Sequence, residues 1–309
     1  MICCFVLCVG YLYMKKGSEK VGIESEKNAE DTNYQEVVYE DEDHLLIPVQ
    51  IAMENLQDHE MIQTLLQQMK QTSSSYPHLH SVFKEGLDVL GVTLQEKVLT
   101  FDFNDQLLML NQEETIRLLE ALTWTFCNED SIDSIRLTCN GQQVSRTNNS
   151  MVRLDQNYDR SLGMNNFETT SAYLHKTSPL MVYGSKQIDQ TTFYVPVTMR
   201  LDEKDLTMQE KVNLILKNNF VSLNLDENKV LSNLQALDGT LLQDGCLTVN
   251  LNDQALLDEA SIDPQVSDLL ILSLKQIEGV ETIRFEVEGV AIGEDESVSK
   301  TIVYNPIKM

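Results

Sequence analysis

The sequence predicts an α/β (α+β) protein made of two tandem two-layer sandwiches, each a small sheet with two helices on one side. Three observations predict this class: an internal repeat, strand segments in which apolar and polar residues alternate, and helix segments with one apolar face. Of the 309 residues, 42% are apolar, which is enough to build a core in each of two domains. The expected order within each copy is β-α-β-β-α-β.

The body of the chain contains an internal repeat at an offset of 148 residues. Gly91–Leu108 aligns with Gly239–Leu256, and nine of these eighteen positions are identical. The same offset aligns two further pairs of segments, Ile47–Val49 with Val195–Val197 and Ser134–Leu137 with Thr282–Phe285. Three segments in one register indicate two copies of one domain.

Each copy is predicted to begin with a strand and a helix. The strands are Leu45–Met53 and Phe193–Leu201, and Pro48 and Pro196 predict that they are edge strands, because proline has no N–H to donate. Each helix is predicted from apolar residues whose spacing places them on one helical face. These residues are Met61, Ile62, Leu65, Leu66 and Met69 in the first copy, and Met208, Val212, Ile215, Leu216 and Phe220 in the second.

Two strands, a second helix and a closing strand complete each copy. Alternation of apolar and polar residues predicts strands with one buried face. The predicted strands are Val89–Leu94, Leu99–Phe103 and Ile135–Cys139 in the first copy, and Leu237–Leu242, Leu247–Leu251 and Ile283–Val287 in the second. The second helix is predicted to begin at Asn111, where Glu114 completes a capping box, and at Asp263, which precedes Pro264.

The N-terminal residues differ in composition from the rest of the chain. Ile2–Met14 contains no charged residue and is followed by two lysines, so residues 1–14 are predicted to be an export signal or membrane anchor. Thirteen residues are too few for a complete transmembrane helix, which needs about 20. A buried N-terminal strand is the alternative.

Residues 15–43 are predicted to be an acidic disordered tether. Between Gly17 and Asp43, ten acidic residues stand against two lysines, and the apolar residues follow no regular period. Self-repulsion would extend such a segment and hold a folded body away from a membrane. The remaining boundaries place the first domain at residues 44–145, a connecting segment at 146–190 and the second domain at 191–309.

The net charge and the cysteines argue against several kinds of protein. A formal net charge of −25 opposes binding to the phosphate backbone of nucleic acids. The six cysteines are scattered and include no Cys-x-x-Cys pair, which fits buried free thiols better than a disulfide framework or a zinc site. His78 and His80 have no third ligand close in sequence, so no metal and no cofactor is predicted.

A repeated polar group follows the third predicted strand of each copy, at Asn104–Gln106 and Asn252–Gln254. A carboxylate at a strand exit could act in acid–base catalysis. Asn and Asp side chains also end strands by hydrogen-bonding to the nearby backbone in a turn. We favour this turn over a catalytic role. The sequence contains no phosphate-binding loop and no serine nucleophile motif, so no catalytic residue is predicted.

The sheet face opposite the helices is predicted to contact a partner. The candidate partner-contact residues are Thr100, Asp102 and Arg136 in the first copy and Thr248, Asn250 and Arg284 in the second, with Thr138 and Glu286 on the same faces. The two arginines are unusual in so acidic a chain. A guanidinium can clamp a carboxylate of a partner or form a salt bridge within the protein, and both uses remain open at this point.

Two repeated motifs resemble those of the sporulation and spore germination (GerM) domain family. They are the strand exit and the closing strand, Leu99–Asp105 with Ile135–Gly141 and Leu247–Asp253 with Ile283–Gly289. The resemblance covers most of residues 44–290. It implies an extracytoplasmic protein of endospore-forming bacteria. The further likeness to ring-building domains implies a scaffold in an assembly between the two membranes of the developing spore.

The expectation is therefore a membrane-tethered, extracytoplasmic scaffold protein of sporulation or germination without enzymatic activity. Its partners would be other protein subunits of an envelope complex, with a homo-oligomeric ring as one form. The N-terminus would attach it to the cell membrane, as a lipoprotein or through a helix, and it would lie near peptidoglycan. The alternatives are a peptidoglycan-associated enzyme or cell-wall binding protein, and a secreted solute-binding protein with a deep pocket between the copies.

Overall fold

The structure is a computed structural model that describes residues 33–307, with gaps at 55, 57, 74, 128–130, 167–176, 203–205, 219–233, 257–260, 263 and 298–303. The predicted anchor (residues 1–14) and residues 15–32 of the predicted tether lie outside the described residues. Within the described part, no helix is both long enough and apolar enough to cross a membrane.

The first copy consists of a hairpin, a helix, a second hairpin, a second helix and two closing strands. In chain order these are β1 (Asn33–Glu40), β2 (Leu46–Met53), α1 (Asp58–Met69), β3 (Val89–Gln95), β4 (Val98–Phe103), α2 (Gln112–Phe126), β5 (Ser134–Cys139) and β6 (Gln142–Gln143). A short 3₁₀ helix at Asp105–Met109 connects β4 to α2. β4 and β5 are parallel, and β3 and β6 pair antiparallel with them at the two edges of a four-stranded sheet.

The second copy repeats this order. Its elements are β7 (Thr177–Ile188), β8 (Thr191–Asp202), α3 (Met208–Asn218), β9 (Leu241–Gln243), β10 (Cys246–Leu251), α4 (Pro264–Leu274), β11 (Thr282–Val287) and β12 (Val290–Ser297), followed by β13 (Pro306–Ile307). The bounds of β10 and β11 lie 148 residues after those of β4 and β5. The repeat in the sequence is therefore a repeat in the structure.

The α/β class and the tandem arrangement predicted from the sequence are confirmed. The structure adds that β2 and β8 do not join the four-stranded sheets but form separate hairpins with β1 and β7. Among the described strands β8 pairs with β7 alone, as expected for an edge strand that contains Pro196. The same prediction is wrong for β2, because β13 pairs with it at Gln50 and Ile51, just beyond Pro48.

Two strands of the structure lie in segments that were predicted to be a tether and a connection. β1 lies in the predicted tether, and β7 lies in the predicted connecting segment. The acidic composition of β1 does not prevent a strand, since Val37, Val38 and Tyr39 are buried and their burial stabilises it. Glu36 of β1 also has a partner, because Tyr304 Oη donates to its Oε2 at 2.5 Å.

The apolar faces of sheet and helices meet in the first copy as the sequence predicts. Phe101 and Phe103 of β4 are fully buried, whereas Thr100 and Asp102, which alternate with them, are partly exposed. Phe101 packs against Phe126 of α2 with ring centroids 5.1 Å apart. α2 begins with the predicted capping box, formed by Asn111 and Glu114.

The second copy buries the equivalent residues. Leu247, Val249 and Leu251 of β10 are fully buried in one apolar cluster with residues of α3 and α4. α4 begins at Pro264, as predicted. The predicted N-cap Asp263 and the predicted helix residue Phe220 lie outside the described residues.

The hairpins form a buried junction between the two copies. Tyr183, Phe193 and Tyr304, which follow the first copy in the chain, are buried in the same apolar cluster as the core of the first copy. Tyr76 of the first copy packs edge-on against Phe193, with ring centroids 5.0 Å apart. The copies are therefore packed together, and the core of the first extends into the second.

Candidate functional site

The face of each four-stranded sheet that lies opposite its buried side carries the predicted contact residues. The parallel strands pair Thr100 with Arg136 and Asp102 with Thr138 in the first copy, and Thr248 with Arg284 and Asn250 with Glu286 in the second. The structure thus places the six predicted residues at equivalent positions of the two copies, but Asn250 is buried, with 7% of the residue exposed. We call these two sets of residues the first and the second sheet face.

Asp102 and Asn250 hold equivalent turns in the two copies. Asp102 Oδ1 accepts hydrogen bonds from Thr138 Oγ1 and from the Gly141 N–H, both at 2.7 Å. Asn250 Oδ1 accepts from the Gly289 N–H at 2.9 Å. Both positions require an acceptor rather than a charge, which explains why Asp and Asn occupy them. Part of each sheet face is therefore used to fix the turn that leads to the last strand of the sheet.

The two arginines differ in what they contact within the protein. Arg284 forms a two-pronged ion pair with Asp295, at 2.8 Å through Nε and 2.6 Å through Nη2. The hydrogen bond from Arg284 lowers the pKa of Asp295 below its ordinary value. Arg136 is exposed and donates through Nε to the neutral amide of Asn157 at 2.8 Å. The charge of Arg284 is thus matched on the second sheet face, whereas the bond from Arg136 leads to an uncharged group.

The repeated polar group at the strand exits makes the contacts of a turn. Asn104 Oδ1 accepts from the Gln106 N–H at 3.2 Å, and its side-chain amide donates to the Gly86 carbonyl at 2.8 Å. In the second copy, Asn252 Oδ1 accepts from the Gln235 N–H at 3.2 Å. These bonds tie each strand exit to the loop that enters the sheet, and they need no catalytic role.

The described cysteines are free, and the two in the first copy are poor nucleophiles. Burial raises the pKa of Cys127 to about 12. Burial and the nearby carboxylate of Asp105 also raise the pKa of Cys139. Because the thiolate is the reactive form, neither thiol is activated at neutral pH.

His78 links the hairpin turns of the two copies. Its Nδ1 lies 2.8 Å from Glu42 Oε1, and its Nε2 lies 3.3 Å from Asp189 Oδ1. The hydrogen bond to Glu42 and the charge of Asp189 raise the pKa of His78. His80 pairs instead with Glu40 through the backbone. In the part of the chain that the structure describes, no group of three or more His, Cys, Asp or Glu residues could hold a metal ion.

A cavity of about 630 Å³ lies at the junction of the copies, between residues of the first copy and Gln276. Arg160 lines it, but its guanidinium caps the end of α2, donating at 2.8 Å to the carbonyls of Cys127 and Trp124. The same guanidinium lies 4.9 Å from the centre of the Trp124 ring. The guanidinium of Arg160 at this cavity therefore already binds partners within the protein.

Comparisons with known proteins agree with the repeated architecture. A model of the family described as "Germane: Sporulation and spore germination" matches residues 25–145. The Spore germination protein GerM of Bacillus subtilis (strain 168) is 25% identical over 197 residues, which are 61% of this chain and 52% of that protein. The chain thus spans about half the length of the curated relative it matches.

The solved structure of the tandem GerMN domains of the sporulation protein GerM from Bacillus subtilis has the same fold. It matches with a TM-score of 0.69 at 18% sequence identity, over 89% of this chain and 99% of that chain. Residues 25–145 therefore match the GerM-type domain family, and the chain has the fold of the tandem GerMN domains. The region matched by the family model includes β1, so the first hairpin belongs to the GerM-type domain.

Three buried polar residues were not predicted from the sequence: Glu120, Asn165 and Asn305. A signal existed for Glu120, which interrupts the apolar residues Leu119 and Ala121 within a predicted helix. Asn165 and Asn305 lie 140 residues apart rather than 148, so alignment on the repeat hides their equivalence. Only the folded junction shows what they contact.

Proposed function

We propose that this protein acts in sporulation or spore germination as a non-enzymatic scaffold within an envelope complex. It is tethered to the cell membrane through residues 1–14 and faces outside the cytoplasm, in the intermembrane space during sporulation. The family match and the GerM relative support the process. The observation that carries the scaffold role is the pair of equivalent sheet faces on one packed body, which offers two related contact surfaces. A homo-oligomeric ring is one form that such a complex takes.

The first sheet face is the stronger candidate for contact with a partner. Arg136 is exposed there and donates a hydrogen bond to Asn157. Because the Asn157 amide is uncharged, this bond does not neutralise the charge of Arg136. On the second face, Asp295 already neutralises Arg284. We therefore expect the first face to receive a partner carboxylate, because a guanidinium fork binds carboxylates with two parallel hydrogen bonds.

Two related faces on one chain strengthen binding to an assembly of repeated subunits. Once one face is bound, the second is held close to the next subunit at a raised effective concentration. This gain needs both faces to reach their partners at the same time. Packing of the copies against each other fixes the geometry with which they do so.

In-cell photocrosslinking during sporulation tests the proposal. A crosslinking residue at Thr100, on the first sheet face, should capture another envelope protein. The same residue at Gln63, which is exposed on α1, serves as the matched control and should capture less. Arg136→Glu should reduce capture at Thr100 at least tenfold, whereas Arg284→Glu should reduce it less. Equal capture at Thr100 and Gln63 would contradict the contact surface.

A turnover assay on cell-wall fragments separates the scaffold from the peptidoglycan-associated enzyme. The scaffold yields no product in this assay. Product formation that is lost in the double variant Asp105→Asn and Asp253→Asn would instead favour the enzyme and overturn the proposal. Binding to wall fragments without product would indicate a cell-wall binding protein.

A further inference from the structure

Asn165 lies between the hairpins of the two copies and binds the backbone of both. Its side-chain Nδ2 donates to the carbonyl of Leu46 in the first copy and to the carbonyl of Pro196 in the second, each at 2.8 Å. Its Oδ1 accepts from the Leu46 N–H at 2.8 Å. The side chain is buried, with 8% of the residue exposed. One amide group thus satisfies backbone groups of both copies.

Asn305 makes the equivalent contacts with the copies exchanged. Its Nδ2 donates to the carbonyls of Tyr194 at 2.6 Å and Pro48 at 2.8 Å, and its Oδ1 accepts from the Tyr194 N–H at 2.7 Å. The residue is fully buried. Tyr194 and Pro196 lie 148 residues after Leu46 and Pro48. Each asparagine therefore binds both backbone groups of one residue in one copy and the carbonyl of a proline in the other.

The chain segments around the two asparagines are exchanged in the same way. Met164 follows the first copy but pairs with Thr198 of the second, since the Thr198 N–H donates to its carbonyl at 2.9 Å and its own N–H donates to Thr198 Oγ1 at 2.8 Å. Asn305 follows the second copy, and its carbonyl accepts from the Gln50 N–H of the first at 3.1 Å. Thr198 lies 148 residues after Gln50. Reciprocal contacts of this kind define a pseudo-two-fold junction.

The two prolines explain why asparagine is needed here. β2 lies against β8, and Pro48 and Pro196 have no N–H to donate between these strands. Instead, an asparagine amide donates to each proline carbonyl. Both asparagines have positive φ angles, 52° for Asn165 and 50° for Asn305, a conformation that asparagine tolerates better than most residues.

We propose that Asn165 and Asn305 form a reciprocal latch, by which we mean two buried amides that each bind the backbone of both copies. The latch makes the hairpins of the two copies unfold locally together rather than independently. Loss of either amide leaves a buried carbonyl without a donor in each copy, which costs more than the bond itself contributes. Neither asparagine can be released without loosening the hairpins of both copies. The proposal concerns the junction and does not depend on which partner the sheet faces contact.

Amide hydrogen exchange in the full chain tests the latch. Asn305→Gly removes the side-chain amide and keeps a residue that accepts the positive φ angle. The Tyr194 N–H, which loses its direct acceptor, should exchange at least tenfold faster. The decisive prediction concerns Leu46, whose acceptor Asn165 is unchanged: its N–H should accelerate to a similar extent. Asn165→Gly should give the same two-copy pattern.

Asn213→Ala is the matched control within a single copy. Asn213 Oδ1 accepts from the Ala236 N–H at 2.9 Å, and both residues belong to the second copy. The control should accelerate exchange at Ala236 while leaving Leu46 and Tyr194 unchanged. Unchanged exchange at Leu46 in Asn305→Gly, with faster exchange at Tyr194, would overturn the latch.

A milder variant keeps the test decisive if the glycine variants do not fold. Thr198→Val removes the Oγ1 acceptor of the Met164 N–H and leaves both asparagines in place. It should accelerate exchange at both Leu46 and Tyr194, by a smaller factor than Asn305→Gly. Acceleration that stays confined to Met164 would contradict the proposal, because the junction would then loosen one bond at a time.

Discussion

Glu120 is a carboxylate buried inside the protein with 1% of the residue exposed. It accepts from the N–H groups of Asn165 at 3.0 Å and Asn166 at 3.3 Å, and from the side-chain amide of Asn166 at 2.6 Å. Burial raises its pKa to about 7, although these donors and the charge of Arg200 act in the opposite direction. The segment that carries Asn165 is therefore attached to α2 through a group that titrates near neutral pH.

The titration of Glu120 predicts a pH-dependent contribution to stability. Because the pKa is raised from 4.5 on folding, the contribution is fully present below about pH 4.5 and is lost as the pH rises through about 7. The loss is roughly 3 to 4 kcal/mol, since each pKa unit corresponds to about 1.4 kcal/mol. Urea unfolding of the wild type and Glu120→Gln at pH 5 and pH 8 checks this.

We expect the wild type to lose stability relative to Glu120→Gln between the two pH values. Glu113→Gln is the control, because Glu113 lies on the exposed side of the same helix. Its difference from the wild type should be nearly equal at pH 5 and pH 8. A constant difference for Glu120→Gln as well would show that Glu120 keeps one protonation state over this range.

At the scale of elements, local patterns predict the parts that local contacts stabilise. β4, β5 and α2 were predicted closely, because their alternation, apolar face and capping box depend on residues near each other in sequence. β1 was missed because its acidic residues find partners far away, such as Tyr304 for Glu36. The candidate sheet faces followed from the same alternation. The alternation did not predict which residues of these faces bind partners within the protein, because the partners Asp295 and Asn157 lie outside the predicted strands.

The capping box of α2 predicts a defined loss of stability on substitution. Asn111 Oδ1 accepts from the Glu114 N–H at 2.9 Å, and Glu114 Oε2 accepts from the Asn111 N–H at 3.0 Å. Asn111→Ala removes the first of these bonds and should cost about 1 kcal/mol of unfolding free energy. Chemical denaturation measures the cost. Gln112→Ala, at the next position, should cost less, and equal losses would mean that the cap contributes nothing specific.

At the scale of the whole molecule, the placement of the copies depends on contacts between residues far apart in sequence. Asn165 binds Leu46 across 119 residues, and Asn305 binds Pro48 across 257. No periodicity or motif reports on such pairs, so the repeat was predictable and the junction was not. Charged contacts join the same hairpins, since Lys186 of β7 pairs with Asp41 and Asp43 of the first copy.

Gly163 gives a prediction for this junction. A Cβ at this position would lie 2.3 Å from Oγ1 and 2.7 Å from Cβ of Thr198, and the φ angle is +82°. Gly163→Ala should therefore cost about 2 kcal/mol or more, through strain and overpacking between the copies. Gly141→Ala is the control, because its φ angle is also positive, at +73°, with nothing within 4 Å of the added atom.

Thermal and chemical unfolding of the two glycine variants separates packing from backbone strain. Gly141→Ala should cost only the left-handed strain, about 1 kcal/mol. The additional loss in Gly163→Ala then measures how tightly the copies approach each other. If both variants lose the same stability, Thr198 moves to accommodate the added methyl group. Close packing of the copies at Gly163 then makes no separate contribution to stability.

β13 has a consequence for how the protein is made. It supplies the outer strand of the first hairpin sheet, yet Pro306 is synthesised 256 residues after its partner Gln50. A chain that is still being synthesised therefore exposes the unpaired edge of β2. An unpaired strand edge can form hydrogen bonds with a strand of another chain. Polypeptides broken off before Pro306 would keep that edge exposed and be open to proteases and chaperones, whereas chains that include it cover the edge themselves.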